Sequence, residues 1–167
     1  MPEFITALSS KHIAVHSAAA WALHHMALHG SVIADPLATT GVLPPLLKLY
    51  TRAPDGSEAK LTAKSAVKEV IRHSSSQGPL LVLVSTTAPP ELAKRALRQG
   101  LELMRTSVLD RREFVTSGSL MVMQELEPAL DVQGQEYVRS INGLFPADVV
   151  AYFRNGVTES SRTESSM

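Results

Sequence analysis

Six histidines are the side chains in this sequence best suited to hold a metal, and four of them form two i, i+4 pairs, His12/His16 and His25/His29. That spacing on a helix can ligate zinc. His16 and His25 are nine residues apart on one expected helix, so the two pairs fall on nearly opposite faces. Neither pair has a carboxylate on its own face, and the pattern reads as solvated helix surface with no metal. The chain has no cysteine, which excludes a disulfide framework, a thiolate metal site and a cysteine nucleophile, and fits a reducing compartment. No G-x-S-x-G, G-x-x-x-x-G-K or H-E-x-x-H occurs, so no catalytic residue, cofactor or enzyme activity is expected. Thr116-Ser117-Gly118-Ser119 reads as a turn between two helices.

Charge offers a second kind of chemistry. Lys60, Lys64, Lys68 and Arg72 form an i, i+4 series flanking the apolar face of one expected helix, with Arg95, Arg98, Arg105, Arg111 and Arg112 downstream. Such a series reads as a solvated flank whose long stems cover apolar surface, or as a binding face for an acidic partner. Almost no aromatics interleave with these cations, which argues against nucleic acid. Net charge is zero, but residues 1–112 carry 13 Lys/Arg against 8 Asp/Glu, and residues 113–167 carry 3 against 8. An asymmetry of +5 and −5 can guide an acidic partner to one end or drive head-to-tail self-association; it also fits chance variation between solvated faces. Five of the eight aromatics lie at Phe114, Tyr137, Phe145, Tyr152 and Phe153, with Tyr137, Ile141 and Phe145 at i, i+4, i+8. They form either a capping core for a last repeat or a docking surface for another subunit, with Tyr137, Phe145 and Phe153 as its anchors.

The elements carrying these residues read as helices. Hydrophobic residues make up 44% of the 167 and charged residues 19%, ordinary globular material of one domain. Ala and Leu dominate, which favours helix over strand. The longest apolar run, Pro79 to Val84, is far short of the roughly 20 residues of a membrane span, and the N-terminus lacks the pattern of a signal peptide. Residues 1–10 read as a frayed start in which Phe4, Ile5 and Leu8 still pack. A helix is expected from Ser10 to His29 with Ile13, Ala14, Ala18, Trp21, Ala22 and Leu28 recurring at helical spacing. Further helices are expected near 31–38, 43–52, 58–73, 79–84, 90–105, 110–115, 119–127, 135–141 and 147–153. Ala63, Ala66, Val67, Val70 and Ile71 mark the buried face of the 58–73 helix. Pro44 and Pro45 sit in a first turn, where a missing N–H does little harm. Asp110 with Glu113 resembles a capping box. Residues 156–167, GVTESSRTESSM, read as a disordered tail.

Thr39-Thr40-Gly41 before an apolar run is echoed by Thr116-Ser117-Gly118 before Ser119-Leu120-Met121-Val122-Met123, with the glycines 77 residues apart. Armadillo and HEAT repeats run at roughly 40 to 47 residues, so two compact units fit. The fold expected is an all-α, armadillo-type helical-repeat solenoid of about three repeats with a C-terminal helical cap over residues 1–155.

Residues 12–153 resemble the C-terminal part of the sperm-associated antigen 6 family. REFVTSGSLMVMQELE (112–127) and EYVRSINGLFPADVVAYF (136–153) carry the resemblance most specifically; AAAWAL (18–23), GVLPPLLKLY (41–50) and APPEL (88–92) fall where the family has similar words. Ser119 departs from the family's second glycine, and the ending from Asn155-Gly156 differs. The family's many N-terminal repeats are absent, which implies a fragment, a truncated paralogue or a separately encoded piece. These are armadillo-repeat proteins of the central apparatus of motile cilia and flagella. The resemblance implies a structural scaffold of the axonemal central pair, bound to other central-pair proteins or tubulin, supporting motility and located on the axoneme. A cytoplasmic armadillo-type binding module unrelated to the axoneme is the alternative. Trp21 and His25 occupy positions where peptide-binding armadillo proteins place a tryptophan and an asparagine. An imidazole lacks the fixed donor-acceptor pair of an amide, and Trp21 reads as ordinary packing. A free N-terminal apolar face implies self-association or low solubility of the isolated chain.

Overall fold

A computed structural model describes residues 2–164. It divides into two compact units, Met1–Val82 and Leu83–Met167, where the sequence reads as one repeat domain over 1–155. Among the described residues every regular element is helical.

The first unit holds α1 (Pro2–Leu8), α2 (Ile13–Ala27), α3 (Ser31–Thr39), α4 (Leu43–Arg52) and α5 (Glu58–His73). α5 packs against α2, α3 and α4. Its buried face is the one that its spacing predicts, Ala63, Ala66, Val67, Val70 and Ile71, with Ala59 added. Against it α2 brings Ser17, Ala19, Ala20, Leu23 and Ala27. Small residues on both helices let the two axes approach closely. The stripe read from the sequence of α2 is therefore corrected: Ile13, Trp21 and Leu28 are exposed at 71, 55 and 47%. α2 is apolar nearly all round, so periodicity alone does not say which side faces the core.

Turn chemistry sets the helix ends. Gly41 has φ 86° and Gly118 φ 78°, a left-handed conformation that costs other residues. Pro44 and Pro45 fall in the first turn of α4, as expected. Ser57 caps α5 by accepting the Lys60 N–H. Asp35 on α3 accepts the Ser75 N–H at 2.7 Å and also the Ser75 hydroxyl, tying α3 to the chain just past α5.

The second unit holds α6 (Pro90–Thr106), α7 (Val108–Thr116), α8 (Ser119–Leu126), α9 (Val132–Asn142) and α10 (Ala147–Glu164). The short helix expected near 79–84 is a 3-10 helix, Gly78–Leu83, which runs along the chain from the end of the first unit into the second. α6 packs on α7 and α9, and α8 on α7 and α10. The capping box expected at Asp110 and Glu113 is corrected. α7 starts earlier, and its cap is Ser107, whose side chain accepts the Asp110 N–H; Asp110 is the third residue of that first turn. α10 extends to Glu164, past residue 156 where the tail is expected to start; residues 165–167 lie outside the described residues. Phe145 lies past the end of α9, which breaks the i, i+4, i+8 line with Tyr137 and Ile141.

The glycine echo is a structural repeat. Counting from Gly41 and Gly118, Val42, Leu43, Leu46 and Leu49 are buried in and just before α4, and Ser119, Leu120, Met123 and Leu126 are buried at the matching places in α8.

Candidate protein-binding site

The four cations of α5 do not form one patch. Each i, i+4 step advances about 40° around a helix, so the series rotates by about 120° from end to end. At its start, Lys60 Nζ pairs with Asp55 Oδ1 at 2.6 Å and lies 5.1 Å from the centroid of the Tyr50 ring on α4. Lys64 lies over the same ring at 6.0 Å, a cation–π arrangement. Lys60, Lys64 and Lys68 are half-buried, and only Arg72 is exposed. Arg72 Nη1 stands 3.9 Å from Glu69 Oε2, which also meets His73 Nε2 at 3.5 Å. The Lys60 hydrogen bond holds the Asp55 carboxyl below its ordinary value. Because Asp55 is almost fully exposed, solvent screens the pair and it contributes little stability.

The three aromatics also separate. Phe145 is half-buried and stacks on the fully buried Phe114, with ring centroids 6.4 Å apart and planes 17° apart. Tyr137 and Phe153 are half-buried too. Phe153 holds Tyr152 edge-on at 5.2 Å, and Tyr152 is the aromatic that faces outward, at 75% exposure. Spacing missed it; the exposed Asp148 one turn earlier on α10 is the signal that marks its face as polar.

Trp21 corrects the packing expectation most clearly. Its ring stands clear of the core and leans on the His25 ring, with centroids 4.1 Å apart at 52°. Ala14, Ala18, Trp21 and His25 share one exposed face of α2, and Leu28 continues it just past the helix end. An exposed indole on a helix that is otherwise alanine-rich is suited to meet a partner, because tryptophan combines a large apolar area with few rotamers.

Polar side chains clamp the second unit. Gln124 on α8 donates to Asn142 Oδ1 at 2.7 Å, and its carbonyl oxygen accepts from Arg154 on α10 at 3.4 Å. Lys94 on α6 pairs with Asp131 at 2.5 Å. Asp131 also caps α9 by accepting the Gly134 N–H at 2.9 Å.

No family model matches the chain. Sperm-associated antigen 6 of Mus musculus and of Homo sapiens are each 32% identical to it over 145 residues, 87% of this chain. The chain spans 28% of the length of those relatives. Among solved structures, a designed armadillo repeat protein in complex with the peptide (KR)4 matches 91% of this chain and 68% of its own, at TM-score 0.55 and 18% identity. Another designed armadillo repeat protein matches 86% of this chain and 63% of its own, at TM-score 0.51 and 19% identity. An engineered protein matches 92% and 66%, at TM-score 0.54 and 17% identity. At such identities the structural matches speak for the fold alone. The chain is thus an all-α protein of armadillo-type helical repeats and, over 87% of its length, a homologue of sperm-associated antigen 6.

Proposed function

We propose that this repeat protein-interaction scaffold serves, without catalysis, in the axonemal central pair of motile cilia or flagella. The observation that carries the reading is the 32% identity to sperm-associated antigen 6 along 145 residues. The partners are other central-pair proteins or tubulin, and the location is the axoneme. Arg72 at the exposed end of the α5 series and Trp21 on the open face of α2 are the side chains most available to them. Lys60, Lys64 and Lys68 act at the margin, since neighbours already engage them. Tyr137, Phe145 and Phe153 serve first as the cap of the second unit. The chain matches 28% of its relatives' length, and this favours the second reading, an armadillo-type module binding a partner away from the axoneme.

A tagged chain in a flagellated cell separates the two. After extraction of membranes and matrix, signal that stays on the axoneme and disappears in cells lacking a central pair supports the scaffold. A diffuse, fully extracted signal overturns it and leaves the module.

A further inference from the structure

A cavity of about 400 Å³ opens between α1, α2, α4 and the start of α5. Leu8, Ile13, Pro45 and Leu49 give it an apolar wall, and Lys48 and Arg52 also line it. These two cations are i, i+4 on α4 and rise from one face of it. Both are exposed, and among the described residues neither has an ion-pair partner. Among the described residues no carboxylate lines the cavity. Pockets of this size are mostly apolar, and a few convergent polar groups fix their specificity. Here the charged groups are both cationic. The fitting occupant is a large apolar side chain with a carboxylate about one helical turn away.

α10 presents that pair on its outward face. Tyr152 is 75% exposed, and Asp148, four residues earlier, is exposed and has no ion-pair partner among the described residues. The charge of the whole sequence runs the same way, +5 over residues 1–112 and −5 over 113–167. We propose that the cavity receives α10 of a second copy, with the Tyr152 ring against Leu8, Ile13 and Leu49 and the Asp148 carboxylate against Lys48 and Arg52. The two patches differ, so the contact is head-to-tail. Each added copy leaves one cavity and one α10 open, and assembly proceeds beyond the dimer. This proposal stands independently of the axonemal reading, because it concerns the chain by itself.

Sedimentation velocity of the full chain over a range of concentrations tests it. The expected result is association that grows with concentration and weakens as salt rises. Lys48→Glu with Arg52→Glu in one chain, and Asp148→Lys in another, should each weaken association by at least about tenfold. Tyr152→Ala should weaken it likewise. Because all four positions are exposed, circular dichroism should show unchanged helix content in each variant. Mixing the two charge-reversed chains restores the association that neither shows alone, since each then offers the patch that the other fits. A monomer at every concentration overturns the proposal. So does association that ignores these substitutions, or charge-reversed chains that stay apart when mixed.

Discussion

α4 and α8 each follow a glycine in the left-handed conformation, Gly41 and Gly118. Four buried positions in and around α4 recur 77 residues later as Ser119, Leu120, Met123 and Leu126. The neighbouring positions behave differently. Lys48 is exposed on α4, and the matching exposed residue on α8 is Glu125. Half-buried Leu47 is matched by Gln124, which is buried and spends its amide on Asn142 and Arg154. Packing repeats because the same helix geometry needs apolar volume at the same places. Positions outside that contact are free to diverge, so one helix offers cations beside a cavity and the other helps to clamp its own unit. Interaction chemistry is therefore best sought where the two helices differ.

The equivalence is tested most strongly in the core. Leu46→Ala and Met123→Ala should each destabilise the chain by about 2–5 kcal/mol in urea unfolding. A variant that loses less than about 1 kcal/mol would break the comparison, because its side chain could not then fill a matched core site. Gly41→Ala and Gly118→Ala come next, at about 1–2 kcal/mol each. A Cβ at either glycine meets nothing within 4 Å, so the cost is conformational and should be similar at both turns. Ser107→Ala should cost about 1 kcal/mol. Asp110→Ala should cost clearly less, and the reverse order would return the cap of α7 to Asp110.

The smallest effect is a pH dependence in the second unit. The Lys94 hydrogen bond, with the Gly134 N–H, holds the Asp131 carboxyl below its ordinary value of 3.8. A carboxyl depressed on folding stabilises the folded state above the unfolded value and loses that contribution as pH falls through the folded one. Urea midpoints should therefore drop as pH falls below about 4. Asp131→Asn should flatten that part of the profile, and an unchanged slope would remove Asp131 as its source.

Much of the architecture was legible because its causes are local. Ala63, Ala66, Val67, Val70 and Ile71 mark a helix face within sixteen residues of chain, and Pro44 and Pro45 mark a first turn by chemistry alone. Ser107 and the Asp110/Glu113 pair match a capping pattern equally well in the sequence, and only the start of α7 decides between them. The buried face of α2 is not legible from spacing because apolar residues surround the helix. The α5 cations looked like a row because spacing records a helix step but not the Tyr50 ring or the Asp55 carboxylate that meet them. Composition does not separate Tyr152 from its aromatic neighbours, although Phe145 turns onto Phe114 and Tyr152 turns outward.

The sequence by itself determined that this chain is helical, where most helices lie, that two glycine turns repeat, and which family it resembles. Those properties follow from propensity, short-range periodicity and turn chemistry, which act over a few residues. Tertiary structure alone decided that Trp21 stands in the open, that Lys60 is engaged while Lys48 and Arg52 flank a cavity, and that Tyr152 is the outward aromatic. Exposure depends on which distant helix covers a side chain, and α5 chooses the buried side of α2 from 30 or more residues away.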